Sequence, residues 1–433
     1  MVKYFLFLAF FLSAIASAQP GWHLLPNSPV QTFRHDDVFF ITENKGWVVN
    51  VNGQVWKTYN GGQSWIKTTQ QSTSFRCIGF LDSLHGFAGN LGPGAFTSTP
   101  DTNPLYQTAD GGNTWNPVTN ISGPRPKGIC GMRIVSDSVI VACGRIDSPA
   151  FFIRSVDRGL TWTSKYMGSY AGFLIDLSFI SRDTGFAVGG NTTDYHTAHS
   201  IILYTTDGGL TWVPKIIGAA AGDHGWKIEK ADRNTYYVSV ERVVQTDTLK
   251  YFKSTDAGNT WTEHVIAGTK YGWSQGIGFA NSSVGWIGGD KSSLTTNDGG
   301  LTFSSFPTFM YLNRIRFVND SVGYAVGRQI YKYSNSPAGI EEHPDLNGYA
   351  LRQNVPNPFH KTTSVTYTIP RTEEVVLELF DDAGRKIRSL VNEKKSAGTY
   401  TLEFSLPDGA SGTFICALSA GRFGKAIKMY AVK

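Results

Sequence analysis

Residues 204–212 read "YTTDGGLTW", and the spacing of the polar residues in this stretch predicts a tight turn between two β-strands. The Asp207 carboxylate can accept hydrogen bonds from backbone N–H groups of its own turn. Gly209, two residues later, can take a positive φ because it has no Cβ that would clash. Trp212 then begins the next strand, where its indole ring can bury a large apolar area beneath the turn.

The same stretch occurs six times along the chain, at intervals of 42 to 50 residues. Asn60 replaces the aspartate in the first copy and Phe303 replaces the tryptophan in the sixth, and both keep the role of the residue they replace. A period of this length is typical of propeller blades, each of which buries its apolar face against its neighbours. The other copies are "KTYNGGQSW" (57–65), "QTADGGNTW" (107–115), "RSVDRGLTW" (154–162), "KSTDAGNTW" (253–261) and "TTNDGGLTF" (295–303).

The repeat resembles the Asp box, also called the BNR repeat, with the pattern S/T-x-D-x-G-x-T-W. This motif occurs in sialidases, xyloglucanases, sortilin-type receptors and photosystem II assembly/stability factors. In those families it is a structural turn, usually on the face away from the ligand. The resemblance therefore implies a folding role, and neither catalysis nor metal binding, for Asn60, Asp110, Asp157, Asp207, Asp256 and Asp298.

A second signature sets the predicted number of blades. Its five clear versions are "KGWVVN" from Lys45, "HGFAGN" from His85, "TGFAVGG" from Thr184, "VGWIGGD" from Val284 and "VGYAVG" from Val322. Two weaker versions are "SVIVACG" from Ser138 and "TYYVSV" from Thr235. An alternating strand precedes most of them, so each unit contains four strands. Seven signatures therefore predict an all-β fold with a seven-bladed β-propeller.

The seventh unit lacks the turn and the fourth strand. Its third strand, "QIYKYS" from Gln329, runs directly into "NSPAG". Trp22, in "GWHLLP" near the start of the chain, lies in a stretch similar to the fourth strands of other units. We expect residues 21–26 to add to the seventh blade. This addition would close the ring with the two ends of the propeller and remove an open sheet edge.

The first residues predict export. Lys3 precedes an apolar run from Tyr4 to Ile15, and Ala16 and Ala18 occupy the small-residue positions of a cleavage site. This pattern is typical of a secretory signal peptide, over residues 1–18. No later apolar run is long enough to span a membrane. The formal net charge of +5 over 433 residues, without a long basic run, argues against a nucleic-acid partner.

The cysteines and histidines suggest no metal or cofactor. The four cysteines, at positions 77, 130, 143 and 416, fit no zinc motif. Cys130 and Cys143 flank a predicted hairpin and could pair after export, while free buried cysteines are an equal alternative. His196 and His199 have H-x-x-H spacing but no evident third ligand. The sequence contains no P-loop, Rossmann glycine motif or convincing Ser/His/Asp arrangement.

The end of the chain forms a separate predicted domain. A polar linker rich in proline and glycine, residues 336–348, separates the propeller at 19–335 from residues 349–433. Short alternating stretches such as "SVTYTI" and "VVLELF" predict a small Ig-like β-sandwich.

This tail also resembles the type A C-terminal sorting domain of the type IX secretion system. The resemblance implies a Bacteroidetes-type bacterium, recognition by the type IX secretion machinery, and a secreted protein or one at the outer-membrane cell surface. The matching stretches are "NVPNPF" (354–359), "LELFDDAGRKIRSL" (377–390), "AGTYTLEF" (397–404), "SGTFICAL" (411–418) and the terminal "KMYAVK".

Aromatic and basic residues gather at the starts of the predicted first strands, near the central channel and on the face opposite the repeated turns. There they could form a cationic, aromatic-lined surface for an extracellular peptide, protein or glycan, or they could pack between blades. The candidate partner-binding residues are Arg34, Arg76, Lys127, Phe173, Trp226, Trp273 and Arg314.

Two functions fit these patterns. The first is a non-enzymatic binding or scaffold propeller, because residues 22–334 resemble the photosystem II assembly/stability factor group in their repeat, without implying a photosynthetic role. The second is a glycoside hydrolase, sialidase-like or glucanase-like, with facing carboxylates among Asp36, Asp37 and Asp176. Arg34 stands near the place of one sialidase arginine, but the Arg-Ile-Pro motif and an arginine triad are missing. The sequence favours the binding propeller and assigns no catalytic residue.

Overall fold

A computed structural model of the chain describes residues 21–25, 27–32, 34–94, 99–146, 149–243, 248–267, 273–290, 292–334, 348–381, 386–406, 409–420 and 423–432. These residues form strands and turns with no helix among them, so the prediction of an all-β fold is confirmed. Over the same ranges, no helix suited to crossing a membrane is found. The predicted signal peptide and all but the last residue of the predicted linker lie outside the described residues. Two compact units, 21–334 and 348–432, are described separately.

The first unit contains seven sheets among its described residues, which we call blades 1 to 7. Strand β1 (Gly21–Leu24) precedes blade 1, which contains β2 (Asp37–Phe40), β3 (Gly46–Val49), β4 (Gln54–Thr58) and β5 (Ile66–Gln70). Blade 2 contains β6 (Phe75–Phe80), β7 (Gly86–Asn90), β8 (Leu105–Thr108) and β9 (Asn116–Pro117). Blade 3 contains β11 (Gly131–Ile134), β12 (Ile140–Gly144), β13 (Phe151–Ser155) and β14 (Trp162–Tyr166) as its first to fourth strands, and the short β10 (Ile121–Ser122) adds to the outer edge of β14.

The other blades repeat the four-strand plan. Blade 4 contains β15 (Phe173–Phe179), β16 (Gly185–Gly190), β17 (His199–Thr205) and β18 (Val213–Ala221). Blade 5 contains β19 (Asp223–Lys230), β20 (Tyr236–Arg242), β21 (Thr248–Ser254) and β22 (Thr262–Ala267). Blade 6 contains β23 (Ser274–Phe279), β24 (Gly285–Gly289), β25 (Ser293–Thr296) and β26 (Ser304–Ser305). Blade 7 contains β27 (Arg314–Asn319), β28 (Val322–Val326), β29 (Ile330–Ser334) and β1.

The blades form a closed ring. The first strands of successive blades are neighbours around a central channel, and β27 of blade 7 contacts β2 of blade 1. The fourth strand of blade 7 is β1, which pairs antiparallel with β29 so that Trp22 lies opposite Tyr333. Trp22 is also buried against Trp286 and Phe309. Because truncating a buried tryptophan typically costs about 3–5 kcal/mol, this closure contributes substantially to the stability of the ring.

The repeated turn joins the third and fourth strands of blades 1 to 6 and has the same core hydrogen bond in each. In blade 4, the Asp207 carboxylate accepts from the backbone N–H of Thr211 at 2.9 Å and from the hydroxyl of Thr205 at 2.8 Å. Thr205 Oγ1 in turn accepts from the N–H of Gly209 at 3.0 Å. Trp212 Nε1 donates to the Gly209 carbonyl at 3.0 Å, which fixes the indole beneath the turn.

Several of these turns are also held by the preceding blade, because a backbone carbonyl of the turn accepts a hydrogen bond from that blade. The pairs are Trp47 with Gly111 (2.9 Å), Arg154 with Gly208 (3.3 Å), Tyr237 with Gly299 (2.8 Å) and Tyr324 with Gly61 (3.1 Å). The last pair joins blade 7 to blade 1. The turn therefore links blades as well as strands.

The turn needs two adjacent residues with positive φ, and the sequence pattern predicts only the second, a glycine in every copy. The residue before it is also glycine in four copies. In blades 3 and 5 it is Arg158, with φ of 66°, and Ala257, with φ of 60°. The backbone of these two residues is in the left-handed region, which costs a residue with a Cβ about 1 kcal/mol or more.

The second unit consists of two sheets with a common hydrophobic cluster. Its strands are β30 (Ala350–Leu351), β31 (Thr362–Ile369), β32 (Glu373–Asp381), β33 (Lys386–Lys395), β34 (Gly398–Ser405), β35 (Gly412–Ala420) and β36 (Phe423–Ala431). The sheet orders are β30-β31-β34 and β33-β32-β35-β36. Strand β31 shows the expected alternation, with Val365, Tyr367 and Ile369 buried in the cluster and the threonines between them partly exposed.

All four cysteines are buried and free, so Cys130 and Cys143 form no disulfide. Burial raises the pKa of both thiols, which keeps them protonated at neutral pH. Cys143 lies opposite Gly131 in the sheet, and the backbone N–H of Cys130 donates to the Cys143 carbonyl at 2.8 Å.

Candidate functional site

Charged side chains line the channel at matching positions of four first strands. In each of these blades, the charged residue of the first strand lies opposite an equivalent residue of the second strand. The pairs are Asp37 with Val49, Asp176 with Val188, Lys227 with Ser239, and Arg314 with Val326. We call these four residues the central charge cluster. Each is at most 1% exposed. The ring brings first strands from distant parts of the chain together, so charges far apart in sequence meet here.

Arg314 holds the cluster together across the channel. Its Nη1 and Nη2 donate to the two carboxylate oxygens of Asp176, at 2.6 and 3.2 Å, and its Nε lies 3.3 Å from Asp37. Burial alone would raise the pKa of Asp176, but Arg314 and Arg133 outweigh it and hold that pKa well below the ordinary range. Removing one partner from such a buried pair typically costs about 3–5 kcal/mol.

Asp37 and Asp176 also join neighbouring blades. Asp37 Oδ2 accepts from the backbone N–H of Ile78 in blade 2 at 3.1 Å, and Asp176 Oδ2 accepts from that of Ile228 in blade 5 at 3.3 Å. Asp36 is fully buried and pairs with arginines. These are the three carboxylates that the sequence suggests for the glycoside hydrolase alternative. Because all three are buried, paired with cations and engaged in structural bonds, they are not placed to act on a substrate.

Lys227 is the one member of the cluster whose sole polar side-chain atom has no hydrogen-bond partner among the described residues. Burial lowers the pKa of this amine well below its ordinary value, and the nearby Arg314 and Arg76 add to that effect. Since a buried ammonium without a partner is costly, the site favours the neutral amine.

A second group of polar residues surrounds the channel where the first strands begin. We call it the strand-start cluster, formed by Arg34, Asp36, Arg76, Tyr195, Glu241 and Gln275. Arg34 Nε lies 3.3 Å from Asp36, and Arg76 forms a second ion pair with the same carboxylate. Tyr195 and Gln275 both donate hydrogen bonds to Glu241. Burial raises the pKa of Glu241, against the effect of these two donors.

The structure divides the seven predicted partner-binding residues. It brings Arg34 and Arg76 together at Asp36, with Arg76 5.7 Å from the ring of Trp226. Arg314 lies deeper, in the central charge cluster. Lys127 is exposed, and Trp273 is 39% exposed.

Phe173 and Trp226 are buried, at 0% and 4% exposure, in an apolar cluster that includes Leu91 and Ile175. A β-bulge explains the position of Trp226, because the pairing of β19 with β20 shifts between Gly225 and Lys227. The bulge interrupts the strict alternation on which the sequence prediction relies. The two aromatic rings pack between strands and are not available to a partner.

The opposite mouth of the channel, on the side of the repeated turns, contains a pocket of about 170 Å³. We call it the turn-side pocket. It is lined by Phe39, Phe40, Arg133, Ser178, Glu229, Lys230, Arg316, Phe317 and Val318. Five of these residues occupy equivalent positions on the first strands of five blades. Each lies two residues after the position that holds the central charge cluster in its neighbours. They are Phe39, Arg133, Ser178, Glu229 and Arg316.

The pocket carries an excess of positive charge. Arg316 binds Asp37 through Nε at 3.0 Å and Nη2 at 2.9 Å. Arg133 donates to the Ile228 carbonyl at 3.2 Å and lies 3.7 and 3.8 Å from Asp176 and Glu229, too far for hydrogen bonds. Burial raises the pKa of Glu229, which is the one acidic residue in the lining.

A signal for this lining is present in the sequence, although the predicted binding set omits these residues. The first strands carry charged or polar residues two positions apart, as in Asp176 and Ser178, Lys227 and Glu229, and Arg314 and Arg316. Period-two polarity in a strand buried on both faces indicates a channel-facing row. Tyr195, Glu241 and Gln275 carry no comparable signal, because nothing in the sequence shows which loops meet at the strand-start end.

No protein-family model matches the chain, and no curated protein matches it. Among solved structures, the chain is similar to YCF48 from Cyanidioschyzon merolae, with a TM-score of 0.53 and 16% sequence identity over 72% of this chain and 99% of that one. It is also similar to a structure of YCF48 bound to D1 peptide, with a TM-score of 0.52 and 17% identity over 73% of this chain and 98% of the other. These structures are β-propellers, so the similarity shows that the fold of this chain is a β-propeller.

Proposed function

We propose that the chain is an exported, non-enzymatic propeller that binds an extended peptide of a partner protein, with its C-terminal unit serving as a type IX sorting domain. One observation carries the binding role. Asp36, Asp37 and Asp176 are buried and paired with arginines, so they hold the inner ring together and leave recognition to the side chains at the mouths of the channel. A peptide ligand is supported by the likeness to a propeller solved with a peptide bound, over nearly all of that propeller's length.

The binding surface of this proposal is the strand-start face. Of the seven predicted residues, Lys127 and Trp273 are exposed and Arg34 is partly exposed. An aromatic ring and two cations suit an acidic or aromatic peptide segment, since such residues are enriched where proteins bind peptides.

A peptide array probed with the purified protein tests the binding role. The Lys127→Ala/Trp273→Ala double variant should lose most of the signal of any bound peptide, while Arg182→Ala, a change at an exposed site elsewhere, should keep it. Peptide binding that is unchanged in the double variant would place the site elsewhere. The absence of any bound peptide, together with turnover of sialosides or β-glucan oligomers, would replace the proposal by the hydrolase alternative.

Export rests on the sequence patterns of the two ends of the chain. A reporter protein carrying residues 1–18 at its start and 336–433 at its end should appear outside a bacterium that has a type IX system. The matched control carries residues 1–18 alone and should stay in the periplasm. Equal location of the two reporters would contradict the sorting role of the C-terminal unit.

A further inference from the structure

The turn-side pocket has the properties of a ligand site that the proposed peptide surface does not use. It lies at the other mouth of the channel. Three of its lining residues are cations, Arg133, Lys230 and Arg316, and one is an anion, Glu229. Arg133 and Arg316 are only 16% and 17% exposed, so their charges are partly removed from water and interact strongly with any ion that enters.

The hydrogen-bonding capacity of both guanidinium groups is incomplete. The bonds from Arg316 to Asp37 use Nε and Nη2, which leaves Nη1 for another acceptor. Arg133 has no carboxylate within hydrogen-bond distance among the described residues. Lys230 is exposed at the rim, with no ion pair in the part of the chain that the structure describes. An anion placed between the two arginines would complete bonds that the fold leaves open.

The aromatic residues of the lining are packed against other aromatic rings. Phe40 stacks on Tyr324 with the ring centroids 3.5 Å apart, and Phe317 packs against Trp22 and Tyr333 at 5.9 and 5.4 Å. A preformed wall of this kind costs little to organise on binding. It also gives the pocket affinity for an apolar group next to the anion, in the usual pattern of few polar groups in a mostly apolar site.

We propose that the turn-side pocket binds a monovalent carboxylate attached to a small aromatic or aliphatic group. Glu229 argues against a phosphate dianion, because it would lie close to the second negative charge. The volume of about 170 Å³ suits a group of about the size of one amino-acid side chain. The carboxylate is carried either by a free small acid or by an acidic residue of a peptide.

Ligand-observed NMR with the purified full chain tests this site through four probes. These are phenylacetate, its neutral amide phenylacetamide, inorganic phosphate, and a short blocked peptide with one glutamate. We expect phenylacetate to bind in the millimolar range, and phenylacetamide and phosphate to bind at least about tenfold more weakly. Competition of the peptide with phenylacetate would identify a peptide source of the carboxylate, and its failure to compete would identify a free acid.

Two variants locate the binding. Arg133→Met removes a cation but leaves Asp176 paired with Arg314, and Ser178→Phe fills the pocket. Each should weaken phenylacetate binding at least about tenfold, while Arg182→Met, at an exposed position, should not change it. Melting temperatures will show whether the variants are folded. Equal binding of phenylacetate and phenylacetamide, no binding of either carboxylate, or unchanged affinity in both folded variants would overturn the proposal. Peptide binding at the strand-start face is tested separately, so either result can fail alone.

Discussion

The repeated turns and the central charge cluster both hold ionised carboxylates, but they do so in opposite ways. Asp207 in a turn is bound by residues two and four positions away, and it lies near water. Asp176 in the channel is bound by Arg314, 138 positions away, and it is fully buried. The bonds of Asp207 join residues of one short stretch, so they can form without the rest of the ring. Long-range bonds in the interior hold opposite blades together only once the ring exists.

The largest difference should appear when each carboxylate loses its partner. Arg314→Met leaves Asp176 and Asp37 buried without their shared cation, so we expect a loss of about 3–5 kcal/mol in the free energy of unfolding. Urea denaturation of the variant measures this loss. The matched control is Arg182→Met, at an exposed position, where the change should stay within about 0.5 kcal/mol. A loss below about 1 kcal/mol in Arg314→Met would show that the pair adds little.

Lys227→Met sharpens the same test, because it removes a buried polar atom that has no partner among the described residues. We expect no loss of stability, and a gain of up to about 1 kcal/mol. A loss comparable to that of Arg314→Met would mean that the amine is charged and that its charge is needed to offset the two buried carboxylates.

The strand-start end of the channel and the turns should also respond to acid in different pH ranges. His35 and His224, buried at the strand-start end, have a pKa lowered to about 4, chiefly by burial. Between the ordinary value of about 6.5 and about 4, the unfolded chain binds protons that the folded chain does not. The free energy of unfolding should therefore fall as the pH is lowered through this range, by up to about 3 kcal/mol for each histidine.

Glu229 and Glu241 act in the opposite direction, because burial raises their pKa. The measurement therefore compares variants. His35→Gln and His224→Gln should each flatten the dependence of the unfolding free energy on pH between about 6.5 and 4. In the turns, hydrogen bonds from Thr114 and Thr211 help to lower the pKa of Asp110 and Asp207 to about 2. The contribution of these two carboxylates to the free energy of unfolding should therefore be lost only as the pH falls from about 4 to about 2. Identical pH profiles of wild type and histidine variants would contradict this separation.

Loss of one turn carboxylate should cost less. Asp207→Ala removes bonds that are close to water, so we expect a loss of about 1 kcal/mol in the free energy of unfolding. Asp137→Ala, an exposed aspartate, is the control and should change little. An effect as large as that of Arg314→Met would remove the contrast between the two regions.

The smallest expected effect is a gain. Ala257 has φ of 60° at a position where four other copies of the turn have glycine. Ala257→Gly relieves that strain but adds freedom to the unfolded chain, so we expect a net stabilisation below about 1 kcal/mol. Thermal unfolding measures it, and a destabilised variant would show that the relief of strain is smaller than the cost of the added freedom of the unfolded chain together with any contact of the alanine side chain.

The contrast also explains what the sequence can predict. The turn is encoded within nine residues, so its polar residues, its glycine and its indole can be located from the sequence pattern alone. The all-β propeller follows from repetition of that unit. The strain at Arg158 and Ala257 cannot be predicted, because the residue before the repeated glycine differs between copies and φ is not visible in a sequence.

The candidate site is harder to predict because its residues meet only through ring closure. The sequence predicts a surface position for Arg314, but this residue spans the channel to Asp176 in the opposite blade. It also predicts a binding role for Trp226, but a bulge places that ring in a buried cluster. Arg133 and Glu229 carry a signal in their spacing along the first strands. Their role in a pocket depends on which first strands face each other across the channel. The spacing of residues along one strand does not show this.

Strand β1 has a consequence for the order in which the molecule assembles. Among the propeller strands, residues 21–24 emerge first from a ribosome or a translocon, and their pairing partners in β29 emerge last. Trp22 therefore remains uncovered while the blades between form one after another. The loop that must close is the whole propeller, and closing such a loop is slow because it fixes contacts at the largest separation in the unit. A chain that ends before β29 leaves β1 without its pairing partner, so the ring stays open at a sheet edge.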